Sequence, residues 1–307
     1  MENIISVAWM PVKQLVVAPM ALGTYNPITM VETPAAPSRG VSNFRRAAPW
    51  LVGIVAASLL GVWLWKTPPG LLGKADAIAY AVCHRIDSHS LHINGEALPL
   101  CARCTGTYLG AVLGLGVMAA LKRTRMGRLP PVGVLAALVA FIVIMGVDGL
   151  NSYATLFPGV PHLYEPQNWL RLVTGMFEGI ALIGLIYPIF NQTLWKRWED
   201  RPALRNFREL GLVAVVAVAV IGLVLTGNPW VVYPLAVLSV GGVMLMLTLL
   251  DTIILLIVIR RENRVESWRG AFLPLFTGAT VALLQIAVID AARYAIFQSW
   301  GGLVFPQ

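Results

Sequence analysis

Seven long apolar stretches recur along this chain, and the short segments between them hold most of its charged residues. Each stretch has about 17 to 30 residues, and about 20 apolar residues in a helix cross a hydrocarbon layer of about 30 Å. The pattern therefore predicts an all-α, polytopic membrane helical bundle of about seven transmembrane helices. The predicted spans are residues 47–65, 104–121, 129–147, 168–190, 210–226, 230–259 and 271–290.

Composition supports the same class of protein. Of the 307 residues, 57% are hydrophobic and 12% are charged, and the mean hydropathy is +0.73. Soluble domains are far more polar, so soluble enzymes and nucleic-acid-binding domains are excluded and the lipid bilayer is the expected partner. The chain contains neither HExxH nor GxxxxGK[ST], which argues against zincin-type proteolysis and P-loop ATP hydrolysis. Further membrane subunits, a homo-oligomer and an enzymatic activity all stay open.

Basic residues are distributed in a way that predicts topology. Of the 23 lysines and arginines, 17 fall in the N-terminal segment and in alternate loops after it. Cytoplasmic loops hold the excess of basic residues, so we predict a multi-pass plasma-membrane protein with a cytoplasmic N-terminus and an external C-terminus. Six basic residues fall on or near the opposite, outer face: Lys66, Lys74, Arg85, Arg103, Arg171 and Arg293.

Breaks in the pattern predict three regions. Prolines interrupt the first 37 residues repeatedly, so residues 1–45 are expected to form a disordered N-terminal extension. The polar stretch WKRWEDRPALRNFREL is the clearest break between spans. It separates a four-helix membrane module, residues 46–195 with a Cys/His loop at 66–104, from a three-helix membrane module, residues 196–307.

The loop between the first two spans carries the most specific chemistry. All three cysteines and all four histidines lie in the outer loops or at their membrane edges. Asn94-Gly95 favours a type I′ turn, because both central positions of that turn need a positive φ. The sequence therefore predicts a small Cys/His hairpin on the outer face. If the register continues outward from the turn, Cys101 lies opposite Ser88.

The hairpin brings together the ligands of a metal site. It places a CxxC cysteine pair on one arm and a Cys-His pair near the other, and three thiolates with one imidazole satisfy tetrahedral zinc. The predicted metal ligands are Cys83, His84, Cys101 and Cys104. Adjacent residues rarely bind one ion together, so the alternatives to His84 are His89, His92, His162 and Asp148. His89 and His92 flank the turn and are expected to be solvated.

Redox chemistry is the alternative for the same thiols. Cys104 lies at the N-terminal end of the second span, where helix amide groups and Arg103 favour a thiolate. A membrane thiol-disulfide oxidoreductase with quinone as its cofactor is therefore a second hypothesis. Quinone-linked enzymes usually use two cysteine pairs, whereas this chain has three cysteines in all, so the count favours metal. A purely structural role for the thiols is the third reading.

Asp148 ends the third predicted span, and Arg171 and Glu178 lie on one face of the fourth. A charge at the centre of the bilayer costs about 2.5 to 3.5 kcal/mol, so such groups normally pair or line a polar cavity. We expect Arg171 to pair with Glu178 or Asp148 and to support the floor of the Cys/His site. The alternative is a transporter whose path is lined by the three charges.

Small residues recur at intervals of four on two of the spans. They predict close contact between the second and fourth spans, as in other membrane helix pairs. These residues are Gly106, Gly110 and Gly114 on the second span and Gly175 and Gly179 on the fourth.

Several of these motifs together resemble a known family of bacterial and archaeal membrane proteins, domain of unknown function 2085. The resemblance covers about residues 71–185 and rests on Cys83-His84, LPLCARCTGTYLG, Asp148-Gly149 and NWLRLVTG. The family pattern has a basic residue, a serine and an aromatic residue where this chain has His89-Ser90-Leu91, so the resemblance implies no shared role for His89. It implies shared residues without naming an activity, and the last three spans fall outside it.

Overall fold

The computed structural model describes residues 39–157 and 159–302, and from Arg45 onward the chain forms one compact unit. The predicted N-terminal extension therefore lies mostly outside the described residues. Within them the chain folds into eight α-helices, with the following bounds: α1 Arg39–Lys66, α2 Gly70–Val82, α3 Ala102–Ala120, α4 Val132–Ala154, α5 Asn168–Leu194, α6 Phe207–Leu225, α7 Pro229–Val258 and α8 Trp268–Phe297.

The predicted helical membrane bundle is confirmed. Helix α1 and helices α3 to α8 cover the seven predicted spans, and six of these helices are long and apolar enough to cross a membrane. Helix α3 is not one of the six, because Arg103 and several glycines and threonines lower its mean hydropathy. It nevertheless runs from one end of the bundle to the other, beside α5 and α7. The chain is a multi-pass membrane protein.

Two features of the helices differ from the sequence-based expectation. Helix α2 was missed, because its 13 residues make it about 20 Å long and too short to span the bilayer. The third span was predicted to end at residue 147, whereas α4 continues to Ala154. Polar residues such as Asp148 and Asn151 suggested a helix end, but both are buried inside the bundle, 2% and 4% exposed.

Two small pairs of strands mark the ends of the bundle. Strands β1 (Ser90–Ile93) and β2 (Glu96–Cys101) form an antiparallel hairpin at one end, here called the hairpin end. At the opposite end β3 (Met126–Arg128) pairs with β4 (Glu199–Pro202), and Trp195 pairs with Val265. Alternate loops therefore meet at the same end, as the basic-residue pattern requires. Which end faces the cytoplasm stays a prediction.

Helices α3 and α5 pack with their backbones in contact. A Cβ at Gly106 or Gly110 would collide with the backbone of α5, and a Cβ at Gly175 or Gly179 with the backbone of α3. Gly114 faces the Ile183 side chain in the same way. The predicted close contact between these two spans is confirmed, and it fixes the position of the first turn of α3 relative to α5.

Helix α7 connects the remaining helices to this pair. It packs against α3, α5 and α8, so a single hydrophobic core contains residues from both sides of the polar break at 195–210. Helix α1 lies at the edge, since only 6% of its apolar segment Ala47–Lys66 is buried. Most of its surface is therefore free to contact lipid.

Candidate functional site

The three cysteines of the chain converge at the hairpin end. The sulfur atoms of Cys83, Cys101 and Cys104 all lie within 4.8 Å of one another, and none is in a disulfide. Cys83 and Cys101 are 3% and 1% exposed. Apolar side chains of α2 and α7, among them Ala79 and Val243, pack around the three thiols. The result is a compact three-sulfur cluster with two buried cysteines and one, Cys104, that is partly buried.

Each cysteine is positioned by the end of a different element. Cys83 is the residue at which α2 ends, and its amide donates to the carbonyl oxygen of Ala79 at 2.8 Å. Cys101 is the last residue of β2 and the N-cap of α3. Cys104 lies in the first turn of α3. The cluster therefore joins α2, the hairpin and α3.

The hairpin forms at the predicted turn, but its register is not the predicted one. Asn94 and Gly95 both have positive φ, 52° and 83°, as a type I′ turn needs. His92 faces Ala97 as expected, whereas Cys101 faces Ser90 instead of Ser88. The intervening segment of β2 contains Pro99, which has no amide hydrogen to donate to the ladder. The register shifts there, and the prediction for Cys101 was wrong by two residues.

Backbone amides and neighbouring thiols stabilise negative charge on Cys83. Its sulfur accepts hydrogen bonds from the amides of Arg85 and Cys101, each at 3.4 Å. Hydrogen bonds from the Cys101 and Cys104 thiols hold the pKa of the Cys83 thiol well below its usual range. The N-terminus of α3 adds a favourable dipole. A thiolate at Cys83 is the form that binds metal ions and reacts as a nucleophile.

His84 lies beside the cluster and is not one of the converging groups. Its Nε2 is 3.3 Å from Nδ1 of His89. Burial, together with the charge of Arg171, lowers the pKa of His89 to about 4, and burial lowers the pKa of His84 in the same direction. Both imidazoles are therefore neutral at pH 7 and have a ring nitrogen able to accept a proton or bind a metal ion.

The other histidines lie at the surface. His92 contacts Asp87 at 2.8 Å and His162 contacts Glu165 at 2.9 Å, in both cases as exposed pairs. His89, by contrast, is 4% exposed. The expectation that His89 is solvated was wrong, because the short helical turn Asp87–His89 folds its ring inward.

Asp148 is the centre of a buried hydrogen-bond network beneath the cluster. Arg103 pairs with it, with Nε 3.2 Å from Oδ2. Tyr164 donates to its Oδ1 at 2.7 Å, and Thr174 donates to its Oδ2 at 3.1 Å. Because Arg103 adjoins Cys104 in sequence, this network ties the first turn of α3 to α4 and α5. Asp148, one of the alternatives to His84 as a metal ligand, thus bonds to Arg103, Tyr164 and Thr174 and is not one of the groups that converge with the sulfurs.

The expected partners of Arg171 were wrong. Its guanidinium, although 4% exposed, makes no ion pair with Glu178 or Asp148 among the described residues. It donates instead to neutral oxygens: Asn168 Oδ1 at 2.6 Å, Ser152 Oγ at 3.3 Å and the Ser88 carbonyl at 3.5 Å. Arg103, in the first turn of α3, occupies the position beside Asp148 instead.

Asn168 and Arg171 together hold the turn that carries His89. The side-chain amide of Asn168 donates to the carbonyl oxygens of Ser88 and Ser90, at 3.2 and 2.9 Å. The first turn of α5 therefore holds the backbone on both sides of His89.

Glu178 lies deeper in α5 and accepts a hydrogen bond from Thr107 at 2.8 Å. Arg171 and Glu178 are therefore both hydrogen-bonded within the packed bundle.

The last helix also contacts the site. Arg293 donates through Nη1 to the carbonyl oxygens of Tyr80 and Cys83. Arg85, which has a positive φ of 52°, pairs with Asp76 at 2.7 Å and donates to the carbonyl oxygen of Trp300 at 3.1 Å. The segment after α8 thus closes over the residues that follow Cys83.

Comparison with known proteins identifies the family of this chain. The sequence model of a family described as "Predicted membrane protein (DUF2085)" matches residues 83–185. "Uncharacterized protein MJ1492" of Methanocaldococcus jannaschii is 28% identical over 123 residues, which are 40% of this chain and 72% of that protein. An "Uncharacterized protein" of Methanothermobacter thermautotrophicus is 31% identical over 101 residues, 33% of this chain and 80% of that protein. The chain belongs to this family. No solved structure matches it.

The DUF2085 segment begins at Cys83 and ends within α5. It therefore contains the three cysteines, both inner histidines and the Asp148 network. Helices α2, α7 and α8 lie outside it, although all three line or hold the cluster. The family match therefore covers the cysteine cluster and the Asp148 network, while three helices that pack against or bond to the cluster lie outside the matched residues.

Sequence reasoning missed several residues that hold the site. Ser152, Tyr164 and Thr174 are common polar residues, and their sequence spacing carries no signal that they meet at Asp148. Arg85, Arg103, Arg171 and Arg293 did carry a signal. They are four of the six basic residues that fall outside the loops with the basic excess, and all four contact the site or its supports.

Proposed function

We propose that this membrane protein binds a zinc ion through Cys83, Cys101 and Cys104. The observation that carries the proposal is the convergence of the only three cysteines of the chain to within 4.8 Å, two of them buried and the third partly buried. Thiolates bind zinc at about 2.3 Å, and a tetrahedral ion then separates them by about 3.8 Å. The cluster needs only a small contraction to reach that geometry.

The proposed role of the ion is structural. Its three ligands come from the end of α2 and from the junction at which β2 continues into α3, so the ion would cross-link α2 to that junction. Structural zinc sites contribute their binding energy to folding. Three thiolates leave one position of a tetrahedral ion for a fourth ligand, and His84 is the nearest sequence neighbour able to supply it.

Metal analysis tests the proposal. Protein purified from membranes without chelator is expected to contain about one zinc per chain under the tetrahedral-site rule. Serine at position 83, 101 or 104 should each remove the zinc and lower the unfolding temperature, whereas His84→Ala should weaken zinc binding by less. Thr226→Ser in the short 226–228 loop is the matched control and should keep both zinc content and stability.

The same samples distinguish the redox alternative. Thiol counting on the metal-free protein should find three free thiols that become protected when zinc is added. A reversible Cys101–Cys104 disulfide together with bound quinone, in protein that never acquires zinc, would overturn the metal proposal and support the oxidoreductase.

A further inference from the structure

A long groove separates α1 from α8 on the lipid-facing side of the bundle. Two cavities lie along it and share Leu59 of α1 as a lining residue. The one nearer the hairpin end has a volume of about 570 Å³, and the deeper one about 310 Å³. The lining on α1 runs from Leu51 to Lys66, so the groove is about 20 Å long by the rise of an α-helix.

The cavity nearer the hairpin end, here called the upper cavity, contains a carboxylate that has only one hydrogen bond. Asp290 is 3% exposed, and its Oδ2 accepts a hydrogen bond from Nε1 of Trp63 at 3.0 Å. Its Oδ1 is buried and has no hydrogen-bond partner. A buried acceptor left unbonded costs about 1 to 3 kcal/mol, and more when it is charged. Asp290 thus lines this cavity with a carboxylate that has one unbonded oxygen.

No nearby cation uses that oxygen. Arg293, one turn along α8, uses Nη1 for the carbonyl oxygens of Tyr80 and Cys83 and lies over the Tyr80 ring, while its Nη2 is buried without a hydrogen-bond partner. Lys66, at the mouth of the cavity, lies over the ring of Trp65 at 4.3 Å. Neither forms an ion pair with Asp290 within the described part of the chain.

The deeper of the two cavities, here called the lower cavity, offers only apolar contacts. Its two threonines, Thr277 and Thr280, donate their hydroxyls to the carbonyl oxygens of Leu273 and Phe276 in their own helix, each at 2.8 Å. The rest of its lining is leucine and valine. On α8 the wall of the upper cavity is formed by Ala287, Ala291 and Ala295, whose small side chains leave room beside Asp290.

We propose that the groove between α1 and α8 binds a membrane amphiphile that has one long apolar tail and an amine head. The tail lies along the two cavities, and the amine donates to the free Oδ1 of Asp290. A protonated amine makes a charge-assisted hydrogen bond with a carboxylate, which is shorter and stronger than a neutral one. An amphiphile with an anionic head meets repulsion at the same atom.

Binding can be measured in lipid nanodiscs of phosphatidylcholine, a lipid without N–H donors in its head. The probe is a spin-labelled long-chain alkylamine, whose immobilised fraction is followed by electron paramagnetic resonance. Unlabelled dodecylamine should displace it, dodecanol should displace it at least about tenfold less well, and dodecanoate should not displace it. Equal displacement by all three would overturn the proposal.

Two variants locate the site. Asp290→Asn keeps the size of the side chain and an acceptor for Trp63, and should weaken alkylamine binding at least about tenfold. Leu59→Trp fills the junction of the two cavities without touching the carboxylate and should also abolish immobilisation. The matched control is Asp251→Asn, another buried aspartate, bonded to Gln285 at 2.9 Å and absent from the groove. Unchanged binding in both variants, or equal loss in the control, would refute the assignment.

Discussion

Arg293 on α8 donates a hydrogen bond to the backbone carbonyl oxygen of Cys83, with 2.8 Å between nitrogen and oxygen. The same nitrogen donates to the carbonyl oxygen of Tyr80. These two carbonyls belong to the last turn of α2, where no intrahelical donor remains for them. The C-terminal helix thereby fixes the end of α2 and the cysteine that follows it.

Replacing Arg293 is expected to loosen Cys83. Arg293→Met keeps the apolar part of the side chain and removes the donors, and hydrogen bonds to a charged group contribute about 1.5 to 3 kcal/mol. Thermal unfolding in detergent should show a loss of that size, and a chelator should remove zinc faster from the variant. Arg269→Met, an exposed arginine in the first turn of the same helix, serves as the control. Equal behaviour of the two variants would contradict the role of Arg293.

A double-mutant cycle tests the network beneath the cluster. Breaking a buried ion pair by removing one partner typically costs about 3 to 5 kcal/mol, so Arg103→Ala and Asp148→Ala should each destabilise strongly. The double variant should be milder than their sum, because the two groups contact each other. The cycle of Arg171→Ala with Glu178→Ala should be additive. Coupling in the second cycle and none in the first would reverse the pairing described for these charges.

The contact of α3 with α5 predicts very different outcomes for two glycines of one helix. Gly110→Ala places a methyl group against the carbonyl of Met176, and overpacking of this kind costs about 1 to 3 kcal/mol or more. Gly116→Ala meets open space and should be neutral or stabilise the protein by up to about 1 kcal/mol through helix propensity. Unfolding temperatures of the two variants are the measurement. A similar loss in both would mean that α3 and α5 are not in backbone contact.

Thiol labelling tests the orientation in the membrane. The three native cysteines can stay, since two are buried and the third is partly buried. A membrane-impermeant maleimide applied to intact cells should label a cysteine introduced at Ser299 and should not reach one introduced at Asn206, because basic residues concentrate at the Asn206 end. Labelling of the second variant alone would reverse the orientation of the whole bundle.

The parts of the fold that depend on spacing along one element could be predicted from the sequence. Span length and the glycine intervals on α3 and α5 are properties of single helices. Span length predicts that a helix crosses the membrane, and the glycine intervals predict close contact between α3 and α5. Helix α2 escaped because a helix of 13 residues at the membrane surface produces no long apolar stretch. The hairpin turn was predictable from Asn94-Gly95, whereas extending the register outward from that turn ignored Pro99, which has no amide hydrogen for the ladder.

The polar contacts of the site were harder to predict from the sequence. Proximity of the three cysteines follows from one local hairpin, but the choice of Arg103 over Arg171 for Asp148 depends on how α3, α4 and α5 are placed relative to one another. The two arginines lie at a similar depth in the membrane. The sequence indicates the depth of a residue along its helix but not the rotation of that helix about its own axis. The basic residues outside the expected loops were the clearest indication in the sequence of where the polar site lies. A charge at membrane depth is costly, so such a residue normally has a bonding partner.

Cys83 and Arg293 are separated by 210 residues in the chain, and this separation has a consequence for biosynthesis. Chains grow at about 5 to 20 residues per second, so the cysteine segment leaves the ribosome about 10 to 40 seconds before α8. Helix α7 and the residues around Trp300, which also cover this end, arrive late as well. During that interval the helices and the segment that pack over this end in the finished fold are not yet present, so the cysteine segment must begin to fold without them.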